Sequence, residues 1–89
     1  MKLNENYVLK NVAGNDIVFY LGEDALRADK IITLNETATF IWRLLEDGIS
    51  TKEEIIKTIL DKYEVGEEEA KKSVETFLST LIENKILCE

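Results

Sequence analysis

Histidine and proline are both absent from this chain of 89 residues, and its one cysteine, Cys88, is the penultimate residue. Without histidine the usual general base and the commonest transition-metal ligand are missing, and a single cysteine excludes a disulfide framework. Nor is there a histidine to activate Cys88 as a nucleophile. The eighteen carboxylates are accompanied by no Gly-rich phosphate loop and no nucleophile motif, so an enzyme is not expected. Glu67-Glu68-Glu69 lacks the alternating oxygen ligands and the glycine of a calcium loop, and neither a metal nor a cofactor is expected. No apolar run approaches the roughly eighteen residues of a membrane span. Lys2, Glu5 and Lys10 interrupt any signal-peptide core, so the expected compartment is the cytoplasm, with no membrane partner.

Positive charge is also scarce. Eleven basic residues stand against eighteen acidic ones, a formal charge of −7. Residues 1–50 hold five basic and eight acidic side chains, and residues 51–89 hold six and ten, so neither half is a basic module. A nucleic-acid partner is therefore not expected, because affinity for a phosphate backbone comes largely from Lys and Arg displacing counterions. No Pro-rich or Gly/Ser-rich linker and no internal repeat divides the chain, which reads as one domain over residues 1–89.

What is present is 45% hydrophobic and 33% charged, the balance of a folded chain. Tyr7 to Val12 and Asp16 to Leu21 are rich in β-branched and aromatic residues. They flank Ala13-Gly14-Asn15, whose Gly and Asn can supply positive φ, and so predict a hairpin. A polar stretch from Gly22 to Lys30 follows, opened by a second Gly-led turn, and Ile31-Ile32-Thr33-Leu34 predicts a short third strand.

From there the period changes to that of a helix. Asn35 is a good N-cap, and Ala38, Ile41, Trp42 and Leu45 recur at helical spacing, widened by Phe40 and Leu44. Gly48 predicts the helix's end. Thr51 with Glu54 fits a capping box before the stripe Ile55, Ile56, Ile59, Leu60 and Tyr63. After Val65-Gly66, the three glutamates suit the positive end of a third helix, whose apolar face is Ala70, Val74, Phe77, Leu78, Leu81 and Ile82. Asn84-Lys85 closes it, and Ile86-Leu87 is expected to run out as an apolar tail. The expected fold is α+β and winged helix-turn-helix-like: a three-stranded antiparallel sheet, order βββααα, packed on a three-helix bundle.

The segment from Ile32 to Leu45, I-T-L-N-E-T-A-T-F-I-W-R-L-L, resembles the signature of the PqqD family: a strand ending in Leu-Asn-Glu-Thr, a small residue, Ile-Trp and a Leu-Leu pair. Thr51 to Ile56, Tyr63-Glu64-Val65, the acidic run with Ala70, Phe77-Leu78, Leu81 and Ile86-Leu87 continue the resemblance in register. It departs at Gly66, where the family often has an Asp or Ser cap, and at Asn84-Lys85-Ile86, where a Gly is more usual. The resemblance implies an element that holds the leader segment of a ribosomally synthesised precursor peptide and presents it to a modifying enzyme, often a radical S-adenosylmethionine maturase. Members are fused to that enzyme or stand alone, and the span from Met1 to two residues past Leu87 leads to the expectation of a free-standing member with a separate enzyme.

In the family the leader lies between the third strand and the third helix. Carried onto this sequence, that implies pairing to the backbone of Ile31, Ile32, Thr33 and Leu34, beside Lys71, Val74, Glu75, Leu78 and Ile82 on the helix. An apolar leader residue would rest on Val74 and Leu78, while Lys71 and Lys72 attract acidic ones. Each of these residues also has a plainer role. The apolar positions suit the core, to which Phe77 and Leu81 are left entirely, and Trp42 suits a packing anchor. Lys71-Lys72 also suits a solvated surface balancing Glu67–Glu69 and Glu75.

Two other functions share the expected fold. A winged-helix DNA-binding regulator would place the third helix in the major groove, but that helix opens on three glutamates and offers no Arg for guanine. A structural or dimerisation module would pair the open strand edge with its own copy, and a weak homodimer through that edge is compatible with leader binding.

Overall fold

The computed structural model describes residues 2–21, 31–49 and 51–88. In chain order its elements are β1 (Lys2–Leu3), β2 (Tyr7–Val12), β3 (Asn15–Tyr20), β4 (Ile31–Leu34), α1 (Glu36–Glu46), α2 (Lys52–Lys62), α3 (Glu67–Glu83) and β5 (Leu87–Cys88). The polar turn expected between Gly22 and Lys30 lies outside the described residues. β2, β3 and β4 form the expected antiparallel sheet in that order, and the sheet and the three helices contribute to one buried core.

The hairpin is tighter than expected. Val12 pairs directly with Asn15, leaving a two-residue turn of Ala13 and Gly14 at φ 53° and 85°. A two-residue turn of this hand needs positive φ at both central positions, so Ala13, not Asn15, takes the left-handed conformation. The strand consequently starts one residue earlier than expected. An L-residue with an ordinary Cβ is strained there, whereas Asn tolerates it. Ala13→Asn is therefore expected to stabilise the fold by about 0.5–1 kcal/mol, read as a higher urea midpoint at unchanged slope.

Each helix begins and ends for a local reason. The Asn35 side chain accepts from the Ala38 amide at 2.8 Å, and Thr51 Oγ1 accepts from the Glu54 amide at 3.3 Å. Gly66 caps α3 without a side-chain bond. α1 ends in a Schellman motif: Gly48 at φ 95° donates to the Leu45 carbonyl and Ile49 to that of Leu44. α3 ends the same way, with Lys85 at φ 60° donating to Ile82 and Ile86 donating to Leu81. Lys85 thus occupies the left-handed position at which the family's more usual Gly would sit without strain.

That second motif turns the chain back, and the tail does not run out. Leu87–Cys88 pairs with Lys2–Leu3, Leu3 opposite Leu87, as a small separate sheet. The Asn4 amide donates to the Ile86 carbonyl at 2.8 Å. Ile86 and Leu87 are buried alongside Val18, Ile41, Trp42, Ile55, Ile59, Val74 and Leu81, so both ends of the described chain close over one core. The expected helical stripes supply the rest. Ile41, Trp42 and Leu45 are buried from α1, Ile55 and Ile59 from α2, and Ala70, Val74, Leu78 and Leu81 from α3. Tyr63 caps α2 and meets Phe40 edge-on, ring centroids 5.6 Å apart, with Lys62 Nζ 4.4 Å from the centre of the Phe40 ring. No helix among the described residues is long and apolar enough to cross a membrane.

Candidate functional site

β4 is an edge strand. It pairs with β3 alone, Val18 opposite Ile32 and Asp16 opposite Leu34, and no described strand lies on its other side. Its side chains alternate as a strand requires: Leu34 is buried and Ile32 half-buried against the core, while Thr33 is exposed. With Ile32 and Leu34 held by the core, β4 offers a new strand the outward-facing backbone groups of Ile31–Leu34, which have no partner in the sheet.

The strand leads directly into a groove. Asn35, next after Leu34, is among the residues lining an open hollow of about 430 Å³ between α1 and α3. Ala38, Ile41 and Phe77 give it an apolar floor, and Thr37, Ser73, Thr76 and Thr80 line it with hydroxyls. Among the described residues Lys72 is its one charged lining residue. The junction is braced from the hairpin. Thr39 on α1 donates to Asp16 Oδ2 at 3.0 Å, and Asn11 Nδ2 donates to Asp16 Oδ1 at 3.1 Å. Asp16 sits opposite Leu34 in the ladder, so it ties β2, β3 and α1 together at the point where β4 passes into the groove.

α3 divides the residues singled out on it. Lys71 and Glu75 line a different hollow, of about 440 Å³, between α2 and α3, floored by Ile56 and Leu60. There Glu75 accepts from Lys52 Nζ at 3.2 Å, an exposed pair contributing about 0–1 kcal/mol. Val74 and Leu78 are sealed in the core at 0% and 5% exposure and present no surface on which a ligand could rest. Ile82 is half-buried against the same core. Phe77, left to the core on sequence grounds, is only half-buried and forms part of the α1–α3 floor. The α3 residues of that groove are Lys72, Ser73, Thr76, Phe77 and Thr80. Ser73, Thr76, Phe77 and Thr80 follow Lys72 by one, four, five and eight positions, which is itself a helical face, of small hydroxyls around one aromatic. That pattern is the signal by which sequence alone could have found them.

Among the described residues no group of three or more Cys, Asp or Glu side chains is placed to hold a metal ion. Cys88 is free and exposed on β5.

Among the described residues, a sheet edge at β4 that continues into an interhelical groove marks this winged-helix-like α+β domain. The chain belongs to the family described as coenzyme PQQ synthesis protein D (PqqD), whose model matches residues 7–87. No curated protein matches it. Two solved structures share the fold. One is TbiB1 in complex with the TbiA(beta) leader peptide, at TM-score 0.78 and 24% identity over 98% of this chain and 94% of that one. The other is a lasso peptide synthetase B1 complexed with the leader peptide, at TM-score 0.74 and 19% identity over 93% of this chain and 91% of the other.

Proposed function

We propose that this protein is a non-catalytic recognition element: it binds the leader segment of a ribosomally synthesised precursor peptide by strand addition to β4, and presents the peptide to a separate modifying enzyme, of the radical S-adenosylmethionine kind. The observation that carries the reading is the outer edge of β4, without a strand partner among the described residues, leading through Asn35 into the α1–α3 groove. Membership of the PqqD family supports it, as does the fold shared with two proteins solved with leader peptides. The proposed contacts are the backbone of Ile31, Ile32, Thr33 and Leu34, with side-chain selection by the groove face of α3. Lys71, Glu75 and Ile82 stand outside that groove. The module works in the cytoplasm, where precursor and enzyme are made.

Backbone pairing gives register without demanding particular side chains, and the groove gives preference. A short strand in a groove of this size buries an area at or below the low end of about 1,200 Å² for specific interfaces. Affinity therefore depends on the groove being pre-formed, which the Asp16 brace and the capped start of α1 provide. The same edge pairs weakly with a second copy at high concentration, and leader peptide displaces that copy.

The test is an amide chemical-shift titration of isotope-labelled protein with leader peptides from precursors encoded nearby. Saturable shifts are expected along Ile31–Leu34 and at Lys72–Thr80. Silence with every such leader, or shifts confined to the α2–α3 side around Lys71 and Glu75, would overturn the reading.

A further inference from the structure

Lys71 and Lys72 are neighbours in sequence but stand about 100° apart around a helix, and packing has given them different surroundings. Lys71 shares its hollow with Glu53, Glu67 and Glu75 and with Lys52 and Lys57, so it is one of three cations among three carboxylates of the protein, and no carboxylate of a ligand is singled out for it. Lys72 is alone as a charge in the α1–α3 groove, and among the described residues it makes no ion pair. In a chain of formal charge −7, a groove whose one charged lining residue is a cation selects an acidic side chain and repels a basic one.

The groove face of α3 also carries a spacing. Phe77 lies five residues beyond Lys72, about 7.5 Å along the helix axis. An extended peptide places side chains on one face every second residue, about 6.6 Å apart. Lys72 to Thr80 spans about 12 Å, the length of about four extended residues, of which two face inward. Residues one or three apart point to opposite faces, and residues four apart overshoot Phe77.

Building on the leader-binding reading, we infer that the groove recognises an acidic residue and a large apolar residue separated by one position, the carboxylate at Lys72 and the apolar side chain on the half-buried Phe77 and Ala38. The hydroxyls of Ser73, Thr76 and Thr80 keep the rest of the contact polar and sequence-tolerant. The ligand class is thus an extended acidic-x-apolar peptide, and Lys72 is the specificity residue while Lys71 is not.

The experiment uses fluorescein-labelled ten-residue peptides of Ser, Thr and Val carrying one Glu and one Leu at separations of one, two, three or four, in both orders. Matched peptides carry Lys in place of Glu. Binding is read by anisotropy with the wild-type chain and with the exposed-site variants Lys72→Glu and Lys71→Glu. A separation of two is expected to bind about tenfold tighter than one or three, because those strand the Leu outside the groove. Glu is expected to be preferred to Lys about fivefold, with Lys72→Glu reversing that preference and Lys71→Glu leaving it intact. Equal binding at all separations, a preference untouched by Lys72→Glu, or no binding by any of these peptides overturns the inference. Those failures are distinguishable from failure of leader binding itself, which is decided by whether encoded leaders shift Ile31–Leu34.

Discussion

Trp42→Ala is expected to destabilise the fold by about 3–5 kcal/mol, which for a domain with about 5–15 kcal/mol in hand leaves little. Trp42 is 1% exposed on the inner face of α1 and is the largest of the fully buried side chains. Trp42 lines an open hollow together with Leu3, Tyr7 and Leu45, and truncation to alanine enlarges it. Its indole Nε1 is buried with no hydrogen-bond partner among the described residues. Trp42 therefore contributes through packing, and its N–H is a liability of about 1–3 kcal/mol. Trp42→Phe keeps most of the ring and removes the unpaired donor, so it is expected to recover more than half of what alanine loses. Chemical denaturation of the three proteins checks both statements, and an equal loss for Phe and Ala would refute the packing account.

The second large effect lies in the peptide, not the protein. If the leader adds as a strand to β4, only every second one of its amides points toward that edge. Methylating those nitrogens removes two or three hydrogen bonds of about 0.5–1.5 kcal/mol each and places methyl groups against the edge. Affinity is expected to fall about a hundredfold. Methylating the alternate set, which faces away, is expected to change it less than threefold. A leader that tolerates both sets equally does not bind as a strand, whatever shifts it produces in the protein.

The parts of this fold that could be read from the sequence are those with a local cause. Asn35, Thr51 and Gly48 mark helix ends within one turn of themselves, and the apolar stripes repeat often enough to show which side is buried. β4 shows itself through four β-favouring residues in a row. β1 and β5 leave no such trace, because two-residue strands have no period and their partner lies at the other end of the chain. Ile86 and Leu87 announce only that they are apolar, and the turn at Lys85 that folds them back depends on a left-handed conformation that Lys does not advertise.

The candidate site divides along the same line. β4 is legible as a strand, whereas which α3 residues line the α1–α3 groove is not. A hydrophobic stripe says which side of α3 is buried, but not which flank meets α1 and which meets α2. Following the edges of the stripe leads to Lys71, Glu75 and Ile82. The groove instead lies on the opposite flank, where hydroxyls at 73, 76 and 80 surround Phe77. Turn chemistry had a similar blind spot: Gly14 was legible, but Ala13 adopts positive φ only because the register Val12–Asn15 leaves room for two residues.

The pairing of Lys2–Leu3 with Leu87–Cys88 closes the longest loop available to this chain with the fewest residues. Loop-closure entropy must be met before such a contact gives anything back, so this ladder joins after the helices and hairpin have assembled. It is correspondingly the first to let go under native conditions, since two-residue strands hold few protected amides. The molecule therefore has a seam. It lies beside Trp42, so the largest aromatic of the interior is shut in by the step that completes folding.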